Sequence, residues 1–438
     1  MMFLFLTALF ACSDRNKNNI KQPTDSKTIT ILWSDWLPSK LLKILCEEFT
    51  RETGVQVVVE TFPFDQWQAI AFSELDKHGT KYDLVIGDSQ WLGKGAVEGH
   101  YVDLTKWIRE QGINKNLTEA ALSGYAEYPK GSMKYWAIPL QGDAMGMAYR
   151  KDLFEDPAEQ VAFLEKYGYP LAVPDSWEQL HDIAEFFNRP EEGLHGIGIG
   201  TSPDYDGITM GFENVLFAWG GEWGNSQYKV KEFLNSQEAV DALKFYHSLY
   251  KLSPPGWESV FWDDMNKAMI EGKIAMGMNY FSFFPDLVDP AKNPLAGSIG
   301  FFPMPKGPTR LRASALGGMG ISLISYSKNK EYALNFLKWL FDNETQLKWS
   351  KLGGFTCNKQ ILSSPEFLNA APFNTAFMES ITVVKDFWVV PQYSELLDIS
   401  QKYLHEFVVE EKYTAEETLN YMATEMEAIF DSAGYYKE

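Results

Sequence analysis

The stretch "ITILWSDWLPSK", Ile29 to Lys40, ends a β-rich apolar run on Trp33, Ser34, Asp35 and Trp36. Two indoles bracketing a carboxylate suit one kind of chemistry. The rings offer rigid flat surfaces and an N–H donor each, and the carboxylate accepts from two hydroxyls at once in charge-assisted bonds. A sugar is the matching shape, with hydroxyls around its edge and C–H patches on its faces. The competing reading places one Trp under the neighbouring helix and makes Asp35 the cap of a helix starting near Pro38. A second set of the same types, Asp88, Ser89 and Trp91, closes the run "KYDLVIGDSQW". Helix capping and packing are its alternative.

The elements around these sets place them together. Ile29–Leu32 reads as a strand, Pro38–Arg51 as a helix stopped by Gly54, "GVQVVVETF" as a strand, "DQWQAIAFSELDKHG" as a helix and "KYDLVIG" as a strand. A β-α-β-α-β opening predicts a parallel sheet covered by helices. In such sheets ligands sit beyond the carboxyl ends of the strands, so both polar-aromatic sets should face one crevice. Farther along, "VPDSWEQLHDIAEFFN" is a capped helix, "HGIGIGT" a short strand and "ITMGFENVLFAWGGEW" a helix closed by Gly220-Gly221. The chain from Tyr393 onward is helical.

Composition narrows the function. At 438 residues the chain is long enough for two or three domains, with 45% hydrophobic and 22% charged residues. A formal charge of −20, without a dense basic block, argues against nucleic acid. The three cysteines, Cys12, Cys46 and Cys357, form no CxxC, and the six histidines are scattered, so no metal site and no cofactor is expected. Cys46 reads as a buried thiol, and pairing with Cys357 would need the fold to bring the two together. "MMFLFLTALFAC" is too short to span a bilayer and is similar to a lipoprotein signal, with Leu9, Ala11 and Cys12 fitting the lipobox. Residues 1–12 are therefore expected to be the signal with Cys12 as lipidation site, and 13–27 a flexible tether.

The order of motifs is similar to that of the family 1 extracellular solute-binding proteins of ABC importers, the maltose-binding-protein-like group, from about Thr28 to the end. "KYDLVIGDSQWLGKGAVEGHYVDLTKWI", "AIPLQGDAMGMAYRKDLF", "VPDSWEQL", "MNKAMIEGKIAMGMNYF" and "ALGGMGISLISYSKNKEYALNFLKWL" carry the resemblance. It implies an α/β, two-lobed periplasmic-binding-protein fold (type II-like), each lobe a mostly parallel sheet with flanking helices and the ligand cleft between them. By analogy lobe one is 28–141 plus 280–316, and lobe two 142–279 plus 317–438. The implied cleft residues are Gln141 and Asp143 on the first hinge strand, Trp219 and Trp223 around the Gly pair, Trp262, Tyr280 and Phe281. Gly317, Gly318 and Met319, where backbone approaches ligand, join them, as do Phe355 and Thr356 in the loop carrying Cys357. With Trp33, Asp35, Trp36, Asp88 and Trp91 these form the expected ligand-binding set.

One further pattern, "SPDYDGITMGFE", matches a calcium-loop spacing through Asp204, Asp206, Gly207 and Glu213, but Ser202 stands at its first position and Pro203 at its second. A helix N-cap, with Asp204 or Tyr205 facing the cleft, is the simpler expectation. No G-x-S-x-G, H-E-x-x-H or P-loop pattern is present, and acidic pairs such as Asp263-Asp264 are not diagnostic, so no catalytic residue is assigned. The expected protein is a monomeric receptor outside the cytoplasm, held at the membrane by lipid, that captures a sugar or oligosaccharide and delivers it to an ABC permease. A sugar-sensing lipoprotein, and a receptor for a non-sugar solute such as a polyamine, remain open. A phosphorylated ligand ranks low, because the candidate set holds no Arg or Lys.

Overall fold

The computed structural model describes residues 27–436; the expected signal, Cys12 and the tether other than Lys27 lie outside them. The chain opens with β1 (Thr28–Ser34), a helix over Leu37–Thr53, β2 (Gln56–Phe62), a helix over Phe64–Asp76 and β3 (Leu84–Asp88). The first helix shows why the local sequence folds as it does. Leu42, Leu45, Cys46 and Phe49 fall on one face and are buried, Pro38 sits in the first turn, and Gly54 closes the end at φ +73° with its N–H on the Thr50 carbonyl at 2.9 Å. β1 runs parallel to both β2 and β3.

Six further strands complete a mixed sheet: β4 (Ile138–Arg150), β5 (His195–Gly198), β6 (Ile274–Tyr280), β7 (Ile299–Pro303), β8 (Ser314–Leu323) and the short β9 (Val384–Lys385). The order is β2-β1-β3-β8-β4-β6-β5, with β7 on β4 and β9 on β8. β4 and β8 belong to both halves. Residues 138–144 of β4 pair antiparallel with β8, while 145–150 pair with β6 and β7. Residues 319–323 of β8 pair in turn with β3. Two antiparallel strands therefore cross between a lobe built on β1–β3 and a lobe built on β5–β7.

This pairing corrects the expected division of the chain. Residues 280–316 do not join lobe one, because β6 and β7 hydrogen-bond to the second half of β4. Nor does everything after 317 belong to lobe two. The helices Lys330–Leu340 and Asn343–Leu352 pack on the first lobe, where Phe336 meets Phe49 at 5.2 Å and Lys348 pairs with Glu48 at 2.7 Å. The C-terminal helices Tyr393–Val408 and Ala415–Ser432 return to lobe two, where Ser400 bonds Thr209 at 2.8 Å and Glu416 pairs with Lys244 at 2.6 Å. Analogy with a motif order cannot supply this, since each crossing strand changes lobe at its midpoint. Among the described residues, Cys46 and Cys357 are both buried free thiols.

At the crossing, Gly142 faces Gly318 and Asp143 faces Gly317. Gly318 has φ +110°, and a Cβ there would lie 2.4 Å from the Gln141 carbonyl oxygen. Two independent penalties, a left-handed backbone and a collision with main chain, act on any side chain at this position. Gly318→Ala is expected to lower stability by about 2–4 kcal/mol, read as the shift in a urea denaturation midpoint. An unchanged midpoint would mean that the crossing is not rigid.

Candidate ligand-binding site

The floor of the cleft is the crossing itself. Tyr125, from the helix Glu119–Tyr125, places its hydroxyl 2.6 Å from the Gly317 carbonyl and 2.8 Å from that of Asp143, and accepts the Asp143 N–H at 3.2 Å. The Asp143 carboxylate accepts the N–H groups of Ala144 (2.9 Å) and Ser282 (3.2 Å). Burial pushes it up to about 7 against the pull of these bonds. Gln141 accepts the Phe355 N–H at 3.4 Å, and Gly142 donates to the Phe355 carbonyl at 2.8 Å. Gln141 and Asp143 thus lock the hinge to the turn after β6 and to the loop around Phe355.

Above this floor four carboxylates converge. Asp88 ends β3; its Oδ2 accepts the Tyr205 hydroxyl at 3.1 Å and its Oδ1 the Ser89 hydroxyl at 3.2 Å. The Tyr205 contact joins the lobes, and the Tyr205 carbonyl accepts in turn from the Gln401 amide. Asp206 precedes the helix Gly207–Trp219, and Glu213 lies about two turns along it on the same face. Trp223 donates its indole N–H to Glu213 Oε2 at 3.0 Å. Asp386 follows β9 and accepts the Phe387 N–H at 2.8 Å. Aromatic walls stand beside them. Trp262 meets Tyr280 edge-on at 5.2 Å and hydrogen-bonds toward Asp206, while Phe387 meets Trp223 at 4.7 Å. A cavity of about 300 Å³ opens beside Asp386, between Ser123, Lys130, Leu316 and Lys385.

Their electrostatics follow from this packing. All four carboxyls lie above their ordinary range, first because burial disfavours the charged form. Mutual repulsion adds to it: Asp386 raises Glu213, while Asp88 raises both Asp206 and Asp386. Lys130 pulls Glu213 and Asp386 the other way. The Tyr205 and Tyr280 hydroxyls are pushed up by burial and by the same carboxylates.

The structure gathers only part of the expected set here: Gln141 and Asp143 in the floor, and Asp88, Tyr205, Trp223, Trp262 and Tyr280 above it. Trp33 is wholly buried and donates to the Met319 sulfur at 3.0 Å, so both act in packing across β3, which lies between β1 and β8. Trp36 starts the first helix, its ring edge-on to Trp33 at 6.0 Å. Trp91 lies on Trp67 at 4.2 Å inside lobe one, and Trp219 on Phe245 at 4.6 Å inside lobe two. Phe281 and Phe355 both pack on Phe377, and Thr356 is buried with its hydroxyl on Gln346. Asp35 and Asp204 are exposed. Asp35 caps nothing, because Trp36 occupies the cap position. Gly317 and Gly318 admit the Tyr280 ring and the neighbouring strand. No calcium loop forms across 202–213, because the helix starts at Gly207 and carries Glu213 into the interior.

Asp206, Glu213 and Asp386 were absent from the expected ligand set. The seven-residue helical spacing of Asp206 and Glu213 was a usable signal. Asp386 offered none, since only the pairing of β9 with β8 brings it in.

Two α/β lobes joined by crossing strands, closed over a buried acidic and aromatic cleft, define an ABC-type solute-binding protein. The chain belongs to the bacterial extracellular solute-binding protein family, whose model matches residues 35–347. It is 24% identical over 345 residues to the Sinorhizobium fredii protein named "Probable amino-acid ABC transporter periplasmic-binding protein", spanning 76% of this chain and 73% of that one. It is 27% identical over 212 residues to the mannitol-binding protein of Pseudomonas aeruginosa, spanning 48% of this chain and 45% of that one. The fold matches that of maltose-bound MalE3 of T. maritima at a TM-score of 0.76 and 24% identity, covering 92% of this chain and 99% of the other.

Asp386, pushed up to about 7, carries a pH signature. Between about pH 4 and 7 the folded protein keeps a proton that the unfolded chain releases, so this group makes stability fall as pH rises through that window. Asp386→Asn is expected to remove this component. The variant should gain about 1–3 kcal/mol relative to the parent at pH 7.5 and little at pH 4.5, read by urea denaturation at both pH values. An equal difference at the two pH values would contradict it.

Proposed function

We propose that this protein is a receptor outside the cytoplasm for an ABC importer, which captures a small polyhydroxylated solute, a sugar or polyol, between its lobes and presents it to a membrane permease. The carrying observation is the cluster of Asp88, Asp206, Glu213 and Asp386 beside Trp262 and Tyr280, closed off by the Tyr205–Asp88 bond between lobes. Carboxylates accept from ligand hydroxyls and the rings take its C–H faces. Mannitol and maltose, named for the Pseudomonas relative and the T. maritima structure, are of this class.

Closure follows from the same geometry. Asp88 comes from lobe one, and Asp206, Glu213, Trp262 and Tyr280 from lobe two, so a ligand touches both sets only when the lobes meet and thereby stabilises the closed state. The permease then reads the closed form. Acylated Cys12 would hold the receptor at the membrane, and the protein acts as a monomer that binds without catalysis.

Intrinsic tryptophan fluorescence should shift saturably with at least one mono- or disaccharide or linear polyol. Asp206→Asn or Trp262→Ala should weaken that binding about tenfold or more, while Asp35→Ala, on an exposed side chain, leaves it unchanged. No saturable response across such a panel would overturn the assignment.

A further inference from the structure

Among the described residues, three carboxyl oxygens of the cleft have no hydrogen-bond donor: Asp206 Oδ1, Glu213 Oε1 and Asp386 Oδ2. Their residues are 7%, 0% and 8% exposed, so water offers these atoms little compensation. Asp88, by contrast, is supplied by Tyr205 and Ser89. A buried polar atom left without a partner costs roughly 1–3 kcal/mol, and more when charged. These orphans therefore mark where a ligand's donors belong. They sit in one field, as Asp386 and Asp206 both raise Glu213 and Asp386 also raises Asp206. The cation acting on Glu213 and Asp386 is Lys130, an exposed side chain beside the cavity next to Asp386.

We infer that the solute carries an ammonium group, seated among Asp206, Glu213 and Asp386 against the Trp262 and Tyr280 rings: an amino sugar or amino polyol rather than a neutral one. The inference rests on the cleft being the ligand site. A hydroxyl shares one hydrogen with each carboxyl and does nothing to offset the charge that burial and mutual repulsion hold back. An ammonium gives three N–H donors and a positive charge in a setting where water screens little. Aromatic faces add to the preference for a cation. The same carboxyls, once ionised, repel carboxylate- and phosphate-bearing solutes.

The test is calorimetric titration of the full chain at pH 7.5 with matched probes: glucosamine, glucose and N-acetylglucosamine; glucamine and sorbitol; and spermidine. The expected result is that the amine of at least one hydroxylated set binds tenfold or more tighter than its neutral counterparts. Glu213→Gln, or Asp386→Asn should that variant not fold, should reduce the ratio at least threefold. Neutral members binding as tightly as the amines would overturn the ammonium inference and leave the sugar or polyol receptor standing. Saturation by spermidine alone would keep the ammonium site and overturn the hydroxylated solute. No response from any probe would overturn both.

Discussion

The structure depends on the crossing of β4 and β8. Each strand contributes to both lobes, and the two pair with each other where they pass, at Gly142–Gly318 and Asp143–Gly317. Main-chain contact this close excludes a side chain at Gly318. The Tyr125 hydroxyl then ties the strands together from lobe one, and Asp143 ties them to the turn after β6. The crossing thus ties the two lobes together beneath the cleft.

What closes above the crossing is electrostatically costly. Four carboxyls from three parts of the chain, Asp88 partly buried and the other three nearly fully so, share one another's fields, and each resists ionisation. Asp88 is partly satisfied by Tyr205, whereas Asp206, Glu213 and Asp386 each keep an oxygen without a donor among the described residues. Such an arrangement adds little to the stability of the empty closed protein. Its use is differential: a donor-rich solute relieves a cost that exists only when the lobes are together, and that relief is what shifts the population. A site made of well-paired groups would gain far less from its ligand.

The aromatic residues divide by the same logic. Trp33, Trp91 and Trp219 each lie inside one lobe, packed at a tilt on neighbouring rings or bonded to Met319, where their area stabilises the fold in either state. Trp223 and Trp262 instead direct their indoles at Glu213 and Asp206 and so border the carboxyls. One residue type thus serves core and cleft, and position alone separates the roles.

The sequence by itself determined the alternation of strand and helix, the cap at Gly54, the family and the two-lobed plan. Each is written in local periodicity, in glycine's tolerance of positive φ, or in the order of short motifs. It also put Asp88 at a strand end and left Asp204 or Tyr205 to face the cleft, between which the structure decides by exposing Asp204 and bonding Tyr205 to Asp88. Tertiary structure alone decided the rest. Trp33 and Trp36 look equivalent in sequence, yet only the approach of Met319, far along the chain, sends Trp33 into the core. The lobe to which 280–316 belongs was settled by β6 and β7 choosing the second half of β4. Asp386 joined the cleft through a two-residue strand on β8 that leaves no periodic trace. Local pattern fixes which face of an element is apolar; which distant partner covers that face depends on long-range pairing that no single segment encodes.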